Sequence, residues 1–318
     1  MKNTAEKERT AAGTAKPRRL KRGLSTKATD NLTGLLFISP SLIGFLVFTV
    51  FGVIFSLYMA FTDFNIQKGI AAAKWVGLQN FASFKGDEYF IASMRNNLIL
   101  ILAVPVTIFL AAVIASAMNK AVFWPKGARA AYFLPYVTNT VAVATVMQAM
   151  FHSTKGPINM VLKALGVSAD KLPGWFASSK WALPAVFLVL IWSSLGYDIL
   201  MYSSALQSIP TEYYEAAKID GANSWQRFFK ITIPMLSPTT FLLTILGIIG
   251  SMQQWTLEKL LTKGGPGTAT FTSGLYIYRN GFVNFRDGYA SAISWLVFVI
   301  ILIITLIQFR GQKNFSVS

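Results

Sequence analysis

The 318-residue sequence has no cysteine and a single histidine, His152. Disulfides, iron–sulfur clusters and thiolate metal sites are therefore excluded, and one imidazole cannot by itself build a histidine metal site or relay. Charge is scarce too: 13% of residues are charged, against 53% hydrophobic. With a mean hydropathy of +0.49, this composition is that of a membrane protein rather than of a soluble domain. The sequence lacks a GxxxxGK[ST] phosphate loop, and the glycine-rich GGPGTAT at 264–270, which has no lysine, reads as a turn without a nucleotide role.

Acids are outnumbered, 13 to 29, leaving a formal charge of +16. Nine of the basic residues precede Asp30, around KPRRLKRG, with two Glu among them. No basic–aromatic platform or recognition helix accompanies this run, so it reads as a topology-setting tail on an anionic membrane surface and not as a nucleic-acid arm. The apolar segment that follows is too long for a cleaved leader and reads as a retained anchor.

Six segments are long enough to span a hydrocarbon core, near 34–60, 96–118, 130–151, 182–206, 236–255 and 289–309. Trp181, Trp255 and Tyr289 fall near their ends, as an aromatic belt would. Basic residues are denser in the first tail and in the loops after the second and fourth segments, which predicts both termini inside. The expected fold is thus an all-α integral membrane protein of six transmembrane helices, N-in and C-in. It divides into a disordered basic tail at 1–33, a six-helix membrane domain at 34–310 with an inner loop at 207–234, and a short tail at 311–318.

That inner loop, around EAAKIDGANSWQRFFKITIPMLSP, is polar and has helical grammar. Pro210 can open a helix, Thr211 can cap it, and Glu212 and Glu215 suit its first turn. Gly221 is a natural left-handed stop. Asn223 and Gln226 have capping-box spacing, and Pro234 should push Ile233 towards extended geometry and end a second helix. Two short helices joined at Gly221 are predicted, and the Ala216–Ala217 pair allows close approach of another surface. An amphipathic loop lying on its own bundle fits the same grammar.

The spacing of Glu215, Ala216, Ala217, Gly221, Ile231 and Pro234 resembles the EAA signature of ATP-binding-cassette (ABC) importer permeases, with Ile233 where the signature has leucine. LLFISPSLIGFLVFTVFGVIFSLYMAFTDFN, WVGLQNF and KGGPGTAT…YIYRNGF…GYASAISW are similar to the carbohydrate-type, maltose and multiple-sugar branch of that family, and the likeness covers most of residues 34–310. The resemblance implies a type I importer fold in a bacterial cytoplasmic membrane. It implies that Glu215, Ala216, Ala217, Asp220 and Gly221 form a coupling interface to a separate ABC ATPase dimer, which would bind ATP and Mg; the chain itself would hold no cofactor and no metal and would not be an enzyme. A second homologous permease and an extracytoplasmic sugar-binding protein are the other implied partners, beside membrane lipid; no nucleic acid is expected.

The resemblance also places Tyr136, Thr140, Ser194, Tyr197, Ser251 and Gln254 along a translocation pathway, with stacking expected of the tyrosines and hydrogen bonds to sugar hydroxyls of the others. Ser and Thr can equally bond their own helix, and Tyr can anchor at an interface. Asp198, an acid within an apolar segment, must face an aqueous path, a cation or polar partners. It keeps open a different class, a secondary transporter or channel; a glycerol-phosphate-type solute is a further alternative. An intramembrane enzyme lacks a nucleophile–base set.

Overall fold

Backbone N–H and C=O groups inside a hydrocarbon core must be satisfied within their own segment, so apolar runs of this length fold as helices. The computed structural model describes residues 26–120 and 134–312, and they are mostly helical. Among them the sole β feature is an isolated bridge between Thr62 and Trp75.

The chain divides into two compact units, Met1–Phe55 and Ser56–Ser318. The first unit holds α1 (Thr26–Gly44), a π-helical stretch Phe45–Val50 and the start of α2 (Phe51–Ala60). Its large apolar side chains, such as Phe37 and Phe48, are exposed. Helix α1 begins at Thr26, inside the segment assigned to a disordered tail; residues 1–25 lie outside the described residues.

The second unit contains α3 (Glu88–Ile101), α4 (Ala103–Lys120), α5 (Thr140–Met150) and α6 (Ala182–Gln207). Then follow α7 (Glu212–Ile219), α8 (Ser224–Arg227), α9 (Ser237–Gln253) and α10 (Thr256–Leu261). Helices α11 (Ser273–Phe282) and α12 (Asp287–Gln312) complete it. Among the described residues, four helices are long and apolar enough to cross a membrane: Thr33–Ala60, Glu88–Met118, Ala182–Gln207 and Asp287–Gly311. A fifth arises if Ser224–Met235 and Ser237–Gln253, bent by 67° to one another, count as one span.

Two expectations change here. The segment 130–151 is not one continuous helix over its described part. Residues 134–137 are helical, Asn139 is extended, and its side chain accepts from Val141 N at 2.8 Å to cap α5. An Asn that caps its own chain competes with the continuous helical ladder. Residues 121–133 are outside the described residues. Pro234 does not end the second loop helix: Ile233 is helical, and the helix continues through a π turn, Phe228–Thr232, to Met235. The wider turn, in which Ile233 N–H reaches back to Phe228 O, gives the proline ring room.

The packing that positions the site runs between α4, α6 and α9. Small residues on α4, namely Ala111, Ala112 and Ala115, let α6 approach, and Ile199, Tyr202 and Leu206 fill the interface. Gly247 brings α9 against α4: a Cβ there would sit 2.7 Å from Val104 Cγ1. The neighbouring connections are tied by amides. Asn80 Nδ2, in the WVGLQNF stretch, donates to Ala60 O and Thr62 O, both at 2.9 Å, at the end of α2. Asn96 Nδ2 donates to Thr268 O and Phe271 O; Asn97 Nδ2 donates to Met252 O.

Candidate functional site

The loop at 207–234 is a helix–glycine–helix element with both joints fully specified. Gly221 has φ +80°, and around it Ala222 N–H donates to Ala217 O (2.9 Å) and Gly221 N–H to Lys218 O (3.2 Å). That is a Schellman stop, which satisfies the last carbonyls of α7. Asn223 Oδ1 accepts from Gln226 N (2.9 Å) while Gln226 Oε1 accepts from Asn223 N (2.7 Å), so α8 starts with a complete capping box. Thr211 stands at the cap position of α7, but its side chain makes no capping bond, because its backbone is already helical (φ −64°, ψ −25°).

The element is anchored on one side and open on the other. Phe228 is buried in the α4–α6–α9 core beside Ile209 and Leu206, and Tyr214 Oη meets Thr232 Oγ1 at 3.1 Å between the two short helices. Glu215, Ala216, Asp220 and Gly221 are exposed, and Ala217 is half-buried. Ala217, Asp220 and Gly221 border a concavity of about 380 Å³ shared with Gln226, Arg227 and Lys230. Around it large apolar groups face outward: Ile219 is 86% and Trp225 67% exposed, with Phe229 stacked on Trp225 at 5.8 Å. Apolar groups held exposed on an otherwise polar, rigid element mark an interaction surface.

A second feature is a cavity of about 540 Å³ between the helices that flank this loop. Tyr136, Thr140, Ser194, Tyr197, Ser251 and Gln254 all line it, so the structure brings together six residues scattered over 118 positions of sequence. Tyr136 and Tyr197 stack on each other, centroids 5.0 Å apart. The broken segment before α5 lines the same cavity through Pro135 and Thr138; in membrane proteins, non-helical backbone is tolerated where it borders a cavity. Asp198 is on the wall and almost wholly buried. Ser193 Oγ and Ser251 Oγ are buried without a hydrogen-bond partner. Thr107 and Thr138 also line the cavity but donate to Ala103 O and Leu134 O, the ordinary fate of a hydroxyl on a helix, and nothing in the sequence singles them out. Trp255 is not part of the wall; it stacks on Tyr278 at 4.5 Å.

Two carboxylates outside the spans complete the electrostatic picture. Asp87 caps α3 through Phe90 N (3.0 Å) and accepts the hydroxyls of Tyr276 and Tyr289. Burial pushes its pKa up, but these donors outweigh burial and hold the carboxyl below its ordinary value. Burial and the bond to Asp87 push the Tyr276 hydroxyl up to about 12. Glu258 on α10 is fully buried, neither of its oxygens has a partner, and burial raises its carboxyl to about 7.

Comparison with known proteins agrees with this architecture. Residues 103–315 match the family described as binding-protein-dependent transport system inner membrane component. The chain is 37% identical over 289 residues to the probable ABC transporter permease protein YesP of Bacillus subtilis, covering 89% of this chain and 91% of that one. It is 31% identical over 295 residues to the lactose transport system permease protein LacF of Rhizobium radiobacter, covering 91% and 97%. In fold it is similar to a bacterial ABC transporter involved in the import of the acidic polysaccharide alginate, with a TM-score of 0.78 at 24% identity over 91% of this chain and 99% of that one. The resemblance to carbohydrate-type ABC importer permeases is borne out. The chain belongs to the binding-protein-dependent transport system inner membrane components, and it is a multi-pass membrane permease of the ABC importer type.

Proposed function

We propose that the chain forms half of the transmembrane pathway of an ATP-driven sugar importer of the bacterial cytoplasmic membrane. In this reading the polypeptide crosses six times with both termini inside, the third crossing being the interrupted segment that ends in α5. A second homologous permease supplies the other half of the path. An extracytoplasmic sugar-binding protein delivers the solute, a reading that the family description, binding-protein-dependent transport system, supports. A separate ATPase dimer binds ATP and Mg and docks on the α7–Gly221–α8 element through Glu215, Ala216, Ala217, Asp220 and the exposed Ile219 and Trp225. Closing that dimer moves the paired elements, and the anchored Phe228 carries the motion into α4, α6 and α9 as a rigid body. The cavity between those helices then alternates its access to either side. The chain carries out no covalent step.

The exposed, doubly capped element around Gly221 carries this reading. The test is co-purification of the ATPase with the affinity-tagged chain from membranes. Wild type should retain the ATPase, and Glu215→Lys, which reverses charge on the docking face, should lose it while remaining in the membrane. Retention by both would remove the element from the interface. Asp198 in the cavity favours a second reading, an ion-coupled transporter that needs no ATPase; solute uptake by the chain alone, driven by an ion gradient, would establish that reading.

A further inference from the structure

The cavity wall carries charge of one sign. Among the described residues that line it, Asp198 is the only one with a formal charge, and no Lys, Arg or His joins it. The remaining polar groups are hydroxyls and one amide, with Tyr136, Thr140, Ser194, Tyr197 and Gln254 foremost. Proteins bind carboxylate, sulfate or phosphate groups with arginine, lysine or converging N–H donors. None of the described wall residues supplies the basic groups, and two of the hydroxyls, on Thr107 and Thr138, are already donated to backbone carbonyls. A carboxyl group offers an anion no positive partner in either protonation state; ionised, it repels the anion, and the apolar surroundings strengthen that repulsion. The same carboxylate accepts from sugar hydroxyls or from an ammonium group.

We infer that this wall excludes acidic sugars and admits uncharged or amine-bearing ones, with Asp198 setting the selection. The inference rests on the reading of the cavity as the solute path.

The absence of cysteine permits a test that does not depend on knowing the sugar. Ser194→Cys puts one thiol in this chain, on the cavity wall. The complete transporter, in proteoliposomes at pH 8, is exposed to cationic 2-aminoethyl or anionic 2-sulfonatoethyl methanethiosulfonate. In each case the thiolate forms a disulfide with the reagent's alkylthio sulfur, and methanesulfinate leaves with the bonding electrons. Labelling rates are read as mass added to this chain and normalised to the same reagents on a free thiol. The cation-to-anion ratio should exceed about fivefold with Asp198 present, fall towards one in Asp198→Asn, and persist in Asp198→Glu. Thr140→Cys, on another part of the wall, should give the same pattern and guards against a local defect at position 194. A ratio at or below one, or one that Asp198→Asn leaves unchanged, overturns the charge selection while leaving the cavity as the path. Labelling by neither reagent at either position means that no aqueous path passes there, and the underlying reading falls with the inference.

Discussion

The hydroxyl of Tyr289 donates to Asp87 Oδ2 at 2.6 Å, joining residues 202 positions apart. Tyr276 donates to the same oxygen, and Phe90 N–H donates to the other. One carboxylate therefore caps α3 and fastens both α11 and α12 to its start. Arg286, whose guanidinium lies 4.6 Å over the Tyr289 ring, adds a cation to the same corner.

Asp87→Asn should lower thermal stability in detergent by an amount on the order of 1–2 kcal/mol, since bonds to a charged acceptor exceed neutral ones and this carboxylate is only partly buried. The folded-state pKa is depressed, so the contribution is present above the ordinary aspartate value and lost as pH falls through the lowered one. The gap between wild type and Asp87→Asn should accordingly be full at pH 7 and close under strongly acidic conditions. A gap that is equal at both pH values would contradict the role of the charge.

Glu258 gives the opposite sign. Its folded-state value is raised to about 7, from 4.5, so the native state holds the proton more tightly than the unfolded state. Stability should fall as pH rises from about 4.5 to about 7, with a total change on the order of 1–3 kcal/mol. Glu258→Gln keeps the size and removes the ionisation, so its melting temperature should be flat over this window once other groups are subtracted. An unchanged pH slope in that variant would show that the carboxyl is hydrated or paired in the protein.

Much of this was legible in the sequence, and the exceptions have physical causes. Long apolar runs located the helices other than the interrupted third segment, because lipid enforces internal hydrogen bonding. The EAA loop was readable to the residue because Gly221, Asn223 and Gln226 act locally, through caps spanning three or four positions. Pro234 misled, since its effect depends on the register of the turn before it, and a π turn is not visible in a pattern of residue types. The capping bond of Asn139, which breaks the third segment, lies within an apolar run whose hydropathy alone reads as one continuous helix. The Asp87 cluster and the burial of Glu258 depend on contacts between distant segments, and no local spacing reports them.

Within the cavity, Gln254→Ala removes one amide partner and should weaken uptake by about 2- to 10-fold, the range for a neutral hydrogen bond worth ~0.5–1.5 kcal/mol. Tyr197→Ala also unstacks Tyr136 and should cost more. Both variants should still co-purify with the ATPase. Uptake over graded sugar concentrations distinguishes the outcomes: unchanged rate and concentration dependence would exclude both residues from the path, and loss of assembly would make them packing residues.

Gly221→Pro should uncouple the transporter without preventing membrane insertion. Proline cannot take φ near +80°, and it would delete the N–H donated to Lys218 O. Gly221→Ala, which has open space for its Cβ but the same backbone strain, should be milder, near 1 kcal/mol in the stability of the turn. ATP hydrolysis and uptake measured on the same preparations should separate in Gly221→Pro, with uptake lost first; full uptake in that variant would contradict a coupling role.

The most direct measurement is uptake of a panel of radiolabelled neutral di- and trisaccharides into proteoliposomes under two conditions. In one, the chain is assembled with its second permease, ATPase pair and binding protein, and supplied with ATP and Mg. In the other, the chain alone faces a proton or sodium gradient. The account predicts ATP-dependent accumulation of at least one sugar in the first and none in the second; gradient-driven accumulation by the chain alone would contradict it.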